Sequence, residues 1–295
     1  MQLWVALALG AAFLQNLRSA LQKALVARVG LLGAAYARFV FAAPWAVALV
    51  IVLIGPAGVT APRPTMAFAL WAATGALAQI AGTLLLLHLF SLRTFAVGNT
   101  FAKTETVQAA LFGLVLLGDR IGPLPMAGIL VSRPGVGVLS TRGLGAGALP
   151  RTAGLGLAAG AAFALSGVCY RAAGLALDGA AGFLTRAAVT LACVTVLQTL
   201  AMTLWMRWRA PGGVGAVLRA WRIAGLVGAA GMLASLGWFA AFTLVPAAQV
   251  KAVGQVELVF SWLTGRLAFD ERTTARELLG IALVSGGIVV LVLTS

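Results

Sequence analysis

Long apolar runs alternate with short polar connections along almost the whole chain. The runs are rich in Leu, Ala, Val and Gly on every helical face, and they lack the strict alternation of a transmembrane β-strand. A helix that is apolar all round is surrounded by lipid or other helices, and about 20 such residues cross a bilayer. The pattern predicts ten membrane-spanning helices, over residues 3–24, 34–54, 67–90, 95–117, 123–140, 152–172, 182–206, 221–243, 245–267 and 276–293.

The composition supports a membrane protein and argues against a nucleic-acid-binding one. Hydrophobic residues make up 61% of the 295 residues and charged residues 9%, whereas soluble domains carry about 25% charged residues. The net charge is +14, but the basic residues stand singly or in small groups between apolar runs. They form no basic stripe, and the positive-inside rule accounts for them better than nucleic-acid binding does.

The second half of the chain repeats the first. A shift of 152 residues places Glu105 on Glu257, Gly113 on Gly265 and Arg120 on Arg272. With slightly different offsets, the sequence from Gly10 to Phe13 reappears from Gly160 to Phe163, and Arg38 matches Arg186. The repeat predicts two five-helix units, residues 1–141 and 152–295, joined by a Gly-rich linker over 142–151.

An odd number of spans per unit has a topological consequence. The second copy enters the membrane from the opposite face and therefore lies inverted relative to the first. Inverted repeats enclose a central site near the bilayer midplane, which is the architecture of alternating-access transporters. The predicted fold class is thus an all-α integral membrane protein of ten helices, arranged as two inverted repeats around a central cavity.

Lys and Arg residues are distributed unequally between alternate connections. Thirteen lie on the side that takes the connections after odd-numbered spans, and four lie on the other side. Because cytoplasmic loops carry the excess of Lys and Arg, this bias predicts that both termini face away from the cytoplasm. The predicted location is the plasma membrane, as the inner membrane of a bacterium.

Polar residues near the middle of the fourth and ninth spans are the first candidates for a solute site. Ionisable groups at helix centres are costly and usually face a cavity or a partner. Asn99 and Lys103 are four residues apart, as are Lys251 and Gln255, so each pair shares one helix face. The two faces are predicted to meet across the repeat axis and to bind solute.

The two repeat-related glutamates are predicted to point away from these faces. Glu105 and Glu257 fall two residues beyond the polar pairs, about 200° around the helix. Two interpretations stay open: coupling of proton movement to transport, or structural ion pairs with Arg18, Arg38 or Arg186.

Other polar residues within the spans are weaker candidates for the pathway. Gln15, Ser19 and Gln22 share one face in the second half of the first span. Gln79, the single histidine His88, and Trp238 lie in the third and eighth spans. Hydrogen bonding between helices is the alternative role for all of them.

The chain lacks the motifs of several other functional classes. It contains no P-loop, no His-Glu-x-x-His and no Gly-x-Ser-x-Gly. One histidine and two separate cysteines in apolar runs predict no metal site. We therefore expect no enzyme and no cofactor. A channel or facilitator remains the main alternative to a carrier, and a lipid-modifying membrane enzyme is disfavoured by the scarcity of His, Asp and Glu.

The duplication and several short motifs resemble the EamA-like branch of the drug/metabolite transporter superfamily. The residues that carry the resemblance are Arg38-Phe39, Arg186, the segment from Lys103 to Gly113, and Gly128-Ile129 with Gly280-Ile281. The resemblance covers essentially the whole chain. It implies alternating-access export or exchange of amino acids, related metabolites or drugs, through a central cavity lined by spans from both halves. The expected partners are membrane lipid and a small solute, with the chain as a monomer or a homodimer. Many relatives have cytoplasmic termini, so the charge bias here departs from the family.

Overall fold

The computed structural model describes residues 2–56, 58–92, 105–120, 149–179 and 181–268, with isolated positions within 122–126 and 275–286. Over these residues the chain is helical and contains no strand; a single antiparallel bridge joins Arg63 to Asp178. In chain order the helices are α1 (Leu3–Val40), α2 (Ala43–Ile54), α3 (Met66–Leu92), α4 (Glu105–Leu117), α5 (Leu149–Leu175), α6 (Phe183–Arg209), α7 (Gly213–Arg219), α8 (Trp221–Leu244), α9 (Ala247–Val253) and α10 (Glu257–Ala268), with a 3₁₀ turn over Gly254–Val256 between the last two.

Five stretches of the described chain are long and apolar enough to cross a membrane. They are Leu3–Ile54, Met66–Leu92, Gly154–Leu175, Phe183–Arg209 and Trp221–Leu244. The last four correspond closely to the predicted spans at 67–90, 152–172, 182–206 and 221–243. Most of the predicted fifth and tenth spans and the first half of the fourth lie outside the described residues, so ten spans remain a prediction.

The first stretch folds back on itself at Gly30. Gly30 has φ 71° and ψ 174°, a conformation open to glycine because it has no Cβ. The Gln22 amide donates a hydrogen bond to the Ala34 carbonyl at 2.9 Å, whereas these residues would be about 18 Å apart in an unbroken helix. Helix α1 therefore consists of two arms, as the separate predicted spans at 3–24 and 34–54 require.

Connections gather into two groups at opposite ends of the helices. The turn at Gly30 lies beside α7, since a Cβ on Gly33 would approach Val217 to 3.1 Å. The α2–α3 connection lies beside the α5–α6 connection, where Arg63 and Asp178 exchange backbone hydrogen bonds of 2.9 and 3.1 Å. Successive helices thus run back and forth between these two ends.

Small residues allow the helices to approach closely. The most extensive helix pairs are α1 with α8 and α3 with α5. A Cβ on Gly228 of α8 would lie 2.3 Å from Phe41 Cβ, and one on Gly75 of α3 would lie 2.6 Å from the Tyr170 ring. Gly228 thus lies against the backbone of Phe41 and Gly75 against the side chain of Tyr170, and such close approach at small residues is expected of helix packing in a membrane.

The predicted ninth span, 245–267, is not one continuous helix. It divides into α9, the 3₁₀ turn and α10. A Cβ on Gly254 would lie 2.5 Å from the Trp238 ring. The turn therefore begins at the point where the indole of Trp238, on α8, contacts the backbone of Gly254. Helix α5 also begins earlier than the predicted second unit, at Leu149 rather than 152.

Candidate functional site

A small polar cavity lies between α1, α3, α5, α8 and α9. Its volume is about 20 Å³, enough for roughly one water molecule. Aromatic rings form much of the wall, and two cationic side chains reach it. The lining residues that carry the argument are Gln15, Arg38, Gln79, Tyr170, Trp238 and Lys251.

Lys251 is held on one side of this cavity by a carboxylate and two rings. Its Nζ lies 3.1 Å from Glu105 Oε2, and it sits 5.2 Å from the centre of the Trp238 ring and 5.8 Å from that of Phe242. Lys251 is 7% exposed and Glu105 4%. A buried ammonium requires such partners because its desolvation is otherwise costly. Within the described part of the chain, Glu105 therefore forms an ion pair with Lys251, which was predicted to bind solute, and not with one of the three arginines proposed as its partners.

The second member of the ninth-span pair also contacts α4. Gln255 Nε2 donates to Thr106 Oγ1 at 3.0 Å, and Thr106 Oγ1 donates to the Lys251 carbonyl at 3.4 Å. Lys251 and Gln255 thus face the same helix. Glu105 of α4 meets this face through Lys251, which differs from the prediction that it points away from the ninth-span pair. The angle between residues of one helix does not determine which neighbouring helix each one meets. The position of Glu105 relative to Asn99 and Lys103, which lie outside the described residues, stays a prediction.

Glu257 lies on the other side of the 3₁₀ turn, against α1. Gln15 Nε2 donates to Glu257 Oε2 at 2.7 Å, and Gln15 Oε1 accepts from Trp238 Nε1 at 3.0 Å. One amide therefore links the Glu257 carboxylate to the cavity wall. Among the contacts of the two repeat-related glutamates are an ammonium for Glu105 and an amide for Glu257.

A second polar network closes the cavity between α3, α5 and α6. The Tyr170 hydroxyl lies 2.8 Å from the Gly75 carbonyl and 3.0 Å from Gln79 Oε1. Gln198 Nε2 donates to Gln79 Oε1 at 2.8 Å and lies 3.2 Å from the Ala76 carbonyl. Gln198 is fully buried. The network joins three helices through groups that would be costly to bury unpaired.

Arg18 and Arg38, on the two arms of α1, lie together beside α8. A Cβ on Gly231 would be 3.2 Å from Arg18 Cδ and 3.5 Å from Arg38 Cγ, so both stems pass the same point. Arg38 Nη1 donates to Thr83 Oγ1 at 2.9 Å, and Arg18 Nη2 donates to Ser19 Oγ at 3.2 Å. Both guanidinium groups are within electrostatic reach of Glu257.

The remaining predicted site residues lie elsewhere. Ser19 accepts a hydrogen bond from Arg18, Gln22 ties the two arms of α1 together, and neither is among the residues that line the cavity in the described part of the chain. His88 is half-buried near the end of α3. Arg186 donates to the carbonyls of Ala181 and Gly179 at 3.0 and 2.9 Å, which orders the α5–α6 connection. Asn99 and Lys103 lie outside the described residues.

Arg171 ties together three helix ends at one side of the cavity. It forms two bonds to the Asp119 carboxylate, at 2.9 and 3.2 Å. Its Nη1 donates to the carbonyls of Phe242 and Val245 at 2.8 and 3.0 Å. We call this set of contacts the Arg171 clamp. It joins the ends of α4, α5 and α8 next to Phe242, which lines the cavity.

Three features of the polar contacts around the cavity were not predicted from the sequence. They are Tyr170, Gln198 and the Arg171 clamp. Gln198 carried a usable signal, because it is a polar residue in the middle of an apolar span. Tyr170 carried a weaker one, as one of only two tyrosines in the chain. The pairing of Arg171 with Asp119 joins distant segments, so no spacing in the sequence indicates it.

These observations define an all-helical protein whose apolar helices are compatible with a membrane-embedded location. No family model and no curated protein matches the sequence. Among solved structures, 27 chains match. One of them, described as "Crystal structure of protein", superposes with a TM-score of 0.67 at 18% identity, over 97% of this chain and 99% of that chain. The chain is similar in fold to that structure over nearly its whole length.

Proposed function

We propose that this chain is a secondary transporter that moves a small organic solute across a bilayer by alternating access, with the EamA-like architecture of the drug/metabolite transporter superfamily. The observation that carries the proposal is the cavity lined by Arg38 and Lys251 among helices long enough to span a membrane. Charges buried among membrane-spanning helices are expensive and commonly mark a substrate pathway. The proposed solutes are amino acids or related metabolites, moved in the direction of export.

Helix packing supports the inverted repeat on which alternating access depends. If spans are numbered as predicted, α1 contributes the first span and the beginning of the second, α8 the eighth, and α3 and α5 the third and sixth. A shift of five spans exchanges these two pairs, which are the most extensive in the structure. Part of the α1–α8 contact, at Arg38, is made by the second span. Contacts of α2 with α6 and of α4 with α9 join spans two and seven, and spans four and nine. Each of these pairs is its own equivalent under the same shift, as a pseudo-twofold axis requires.

The size of the cavity supports a carrier over a channel. A volume of about 20 Å³ is too small for an amino acid, so the described conformation is closed around its polar centre. A carrier passes through such a state between its two open forms. Solute binding then requires α1, α5 and α8 to separate, and the Arg171 clamp is the contact that must open on its side.

Lys251 is the proposed anchor for a carboxylate of the solute. The predicted partners Asn99 and Lys103 belong to the same proposal. A solute carboxylate would compete with Glu105 for the Lys251 ammonium, so binding would loosen the contact between α4 and α9. Such an exchange of partners offers a means of coupling occupancy to rocking of the two halves.

Uptake into proteoliposomes tests this function. Labelled amino acids are presented to vesicles that contain the wild type, Lys251→Gln, or the matched control Arg209→Gln, which alters an exposed arginine at the end of α6. We expect saturable uptake by the wild type and the control, and a loss of roughly 10-fold or more in Lys251→Gln, since a charged hydrogen bond is removed. Equal uptake by all three proteins, with the variants folded, would remove Lys251 from the pathway.

A further inference from the structure

We propose that Arg38, with Arg18 beside it, forms an anion-binding subsite of the central cavity, and that the preferred solute is an organic acid with an apolar group and no ammonium group. The inference rests on the proposed function and narrows its substrate class. It adds Arg38 to Lys251 as a contact for the solute carboxylate in the same cavity, and it favours monoanions over zwitterionic amino acids.

Arg18 carries unused hydrogen-bonding capacity in a buried position. The residue is 2% exposed, and Nη2 donates to Ser19 Oγ. Among the described residues, Nε and Nη1 have no hydrogen-bond partner. A guanidinium stays charged at all accessible pH values and offers a planar set of donors that matches a carboxylate. Nε and Nη1 lie on different edges of the guanidinium, with Cδ between them, so Arg18 is a buried positive charge whose hydrogen bond in the described part of the chain is the one to Ser19.

A second guanidinium lies next to it and reaches the cavity. The stems of Arg18 and Arg38 meet at Gly231, and the two positive charges repel each other. Arg38 is 4% exposed and lines the cavity, with Thr83 holding its Nη1. Two like charges buried together favour the binding of an anion between or beside them. Arg38 provides the contact with the solute. Arg18, which is next to Arg38 and is not among the lining residues of the described chain, increases the positive potential at this site.

Positive groups outnumber negative ones among the buried charged residues of the described chain. They are Arg18, Arg38 and Lys251, against Glu105 and Glu257. Glu105 lies 3.1 Å from Lys251, and Glu257 is within electrostatic reach of both arginines. A monoanionic solute would add negative charge beside the arginines, where burying a positive charge is costly.

The lining of the cavity also argues against an ammonium group. Within the described part of the chain, neither an aspartate nor a glutamate lines it. The Trp238 and Phe242 rings, which could hold a cation by their faces, already carry Lys251. Tyr170 stacks on Phe239 with ring centres 4.3 Å apart, and Phe163 lines the cavity as well. These rings provide an apolar wall for the rest of the solute.

Thermal stability of the purified protein in detergent tests the subsite, because a ligand that binds the folded form raises Tm by mass action. The probes are phenylacetate, phenethylamine and phenylalanine, which share a ring and differ in charge. We expect phenylacetate to raise Tm at the lowest concentration, phenylalanine to require more, and phenethylamine to have no effect. Stabilisation by phenethylamine equal to or greater than that by phenylacetate would overturn the proposal, and this comparison needs no variant.

Variants then assign the effect to the arginines. Arg38→Gln should weaken the response to phenylacetate by roughly 10- to 100-fold, as loss of a charged hydrogen bond does, and Arg18→Gln should weaken it less. Arg209→Gln should leave it unchanged. Arg38→Lys retains the charge but not the fork of donors, and should retain part of the response. A full response in folded Arg38→Gln would exclude this residue from the subsite and overturn the proposal.

Flux measurements separate this inference from the proposed function. Saturable transport of phenethylamine in proteoliposomes, without transport of phenylacetate, would leave the transporter function standing and overturn the anion subsite. Stabilisation by phenylacetate without flux of any of the three probes would support the subsite and contradict the transporter function.

Discussion

The ion pair between Lys251 and Glu105 should show a strong asymmetry between removing one partner and removing both. The Nζ–Oε2 distance is 3.1 Å, and the two residues are 7% and 4% exposed. At an effective dielectric constant of about 20, unit charges at this separation attract by roughly 5 kcal/mol, much of which offsets the cost of burying them. Removing one partner from a buried pair costs about 3–5 kcal/mol, because the other charge loses its compensation.

We therefore expect Glu105→Gln to lower the free energy of unfolding by about 3 kcal/mol. Trp238 and Phe242 still hold the ammonium by their ring faces, but a desolvated cation–π contact contributes only about 2 kcal/mol. At about 2–4 °C per kcal/mol, Tm should fall by roughly 6–12 °C. The double variant Glu105→Gln, Lys251→Met removes both charges. Its loss of unfolding free energy should be much smaller than the sum of the losses in the two single variants.

A double-mutant cycle in detergent measures this directly, with unfolding followed by tryptophan fluorescence. The coupling between the two positions should reach at least about 1.5 kcal/mol, within the range for residues in direct contact. Arg209→Gln serves as the control for loss of an exposed charge and should change stability by less than about 0.5 kcal/mol. Additive effects of the two single changes would refute the argument that these groups compensate each other.

Three further outcomes follow from the packing and the polar networks. Gly228→Ala should cost about 1–3 kcal/mol by overpacking, because its Cβ would lie 2.3 Å from Phe41 Cβ, whereas Gly225→Ala on the same helix meets nothing within 4 Å and should be neutral or slightly stabilising; equal Tm values for the two variants would contradict the close approach. Gln198→Leu removes the donor to Gln79 Oε1 at 2.8 Å and should lower the free energy of unfolding by about 1–3 kcal/mol, and an unchanged denaturation midpoint would show that the network does not stabilise the fold. Arg171→Gln should loosen the Arg171 clamp. The reporter is Phe242→Cys in a chain with Cys169→Ala and Cys193→Ala, and it should react faster with a membrane-impermeant thiol reagent when Arg171 is replaced than when it is intact. Identical rates would show that the clamp does not control access.

Much of the helical framework could be predicted from apolar runs and their polar boundaries. The boundaries of α3, α6 and α8 differ from the predicted ones by a few residues, because each run ends at charged or turn-forming residues. The two arms of α1 were predicted as separate spans on either side of Gly30. The break in the ninth span was not, because the segment around Gly254 carries no proline and the turn lies at a contact with Trp238, which is distant in the sequence.

The site was harder to predict than the framework. Helical spacing correctly placed Lys251 and Gln255 on a shared face, since both contact α4. Spacing within one helix could not indicate that Glu105 on another helix would meet that face. The meeting of Arg18 and Arg38 at Gly231 likewise depends on the turn in α1 and on its packing against α8, and neither is visible in residue periodicity. Predictions that rest on Asn99 and Lys103 stay predictions.

Counterflow tests the proposal of a carrier with a central solute site most directly. Proteoliposomes loaded with an excess of unlabelled solute, phenylacetate or an amino acid mixture, are diluted into a trace of the labelled form. The account predicts that the labelled solute accumulates transiently above its equilibrium level, and that Lys251→Gln abolishes this overshoot while Arg209→Gln does not. Label that only approaches equilibrium, without an overshoot in the wild type, would contradict a carrier and indicate a channel or a protein without transport activity.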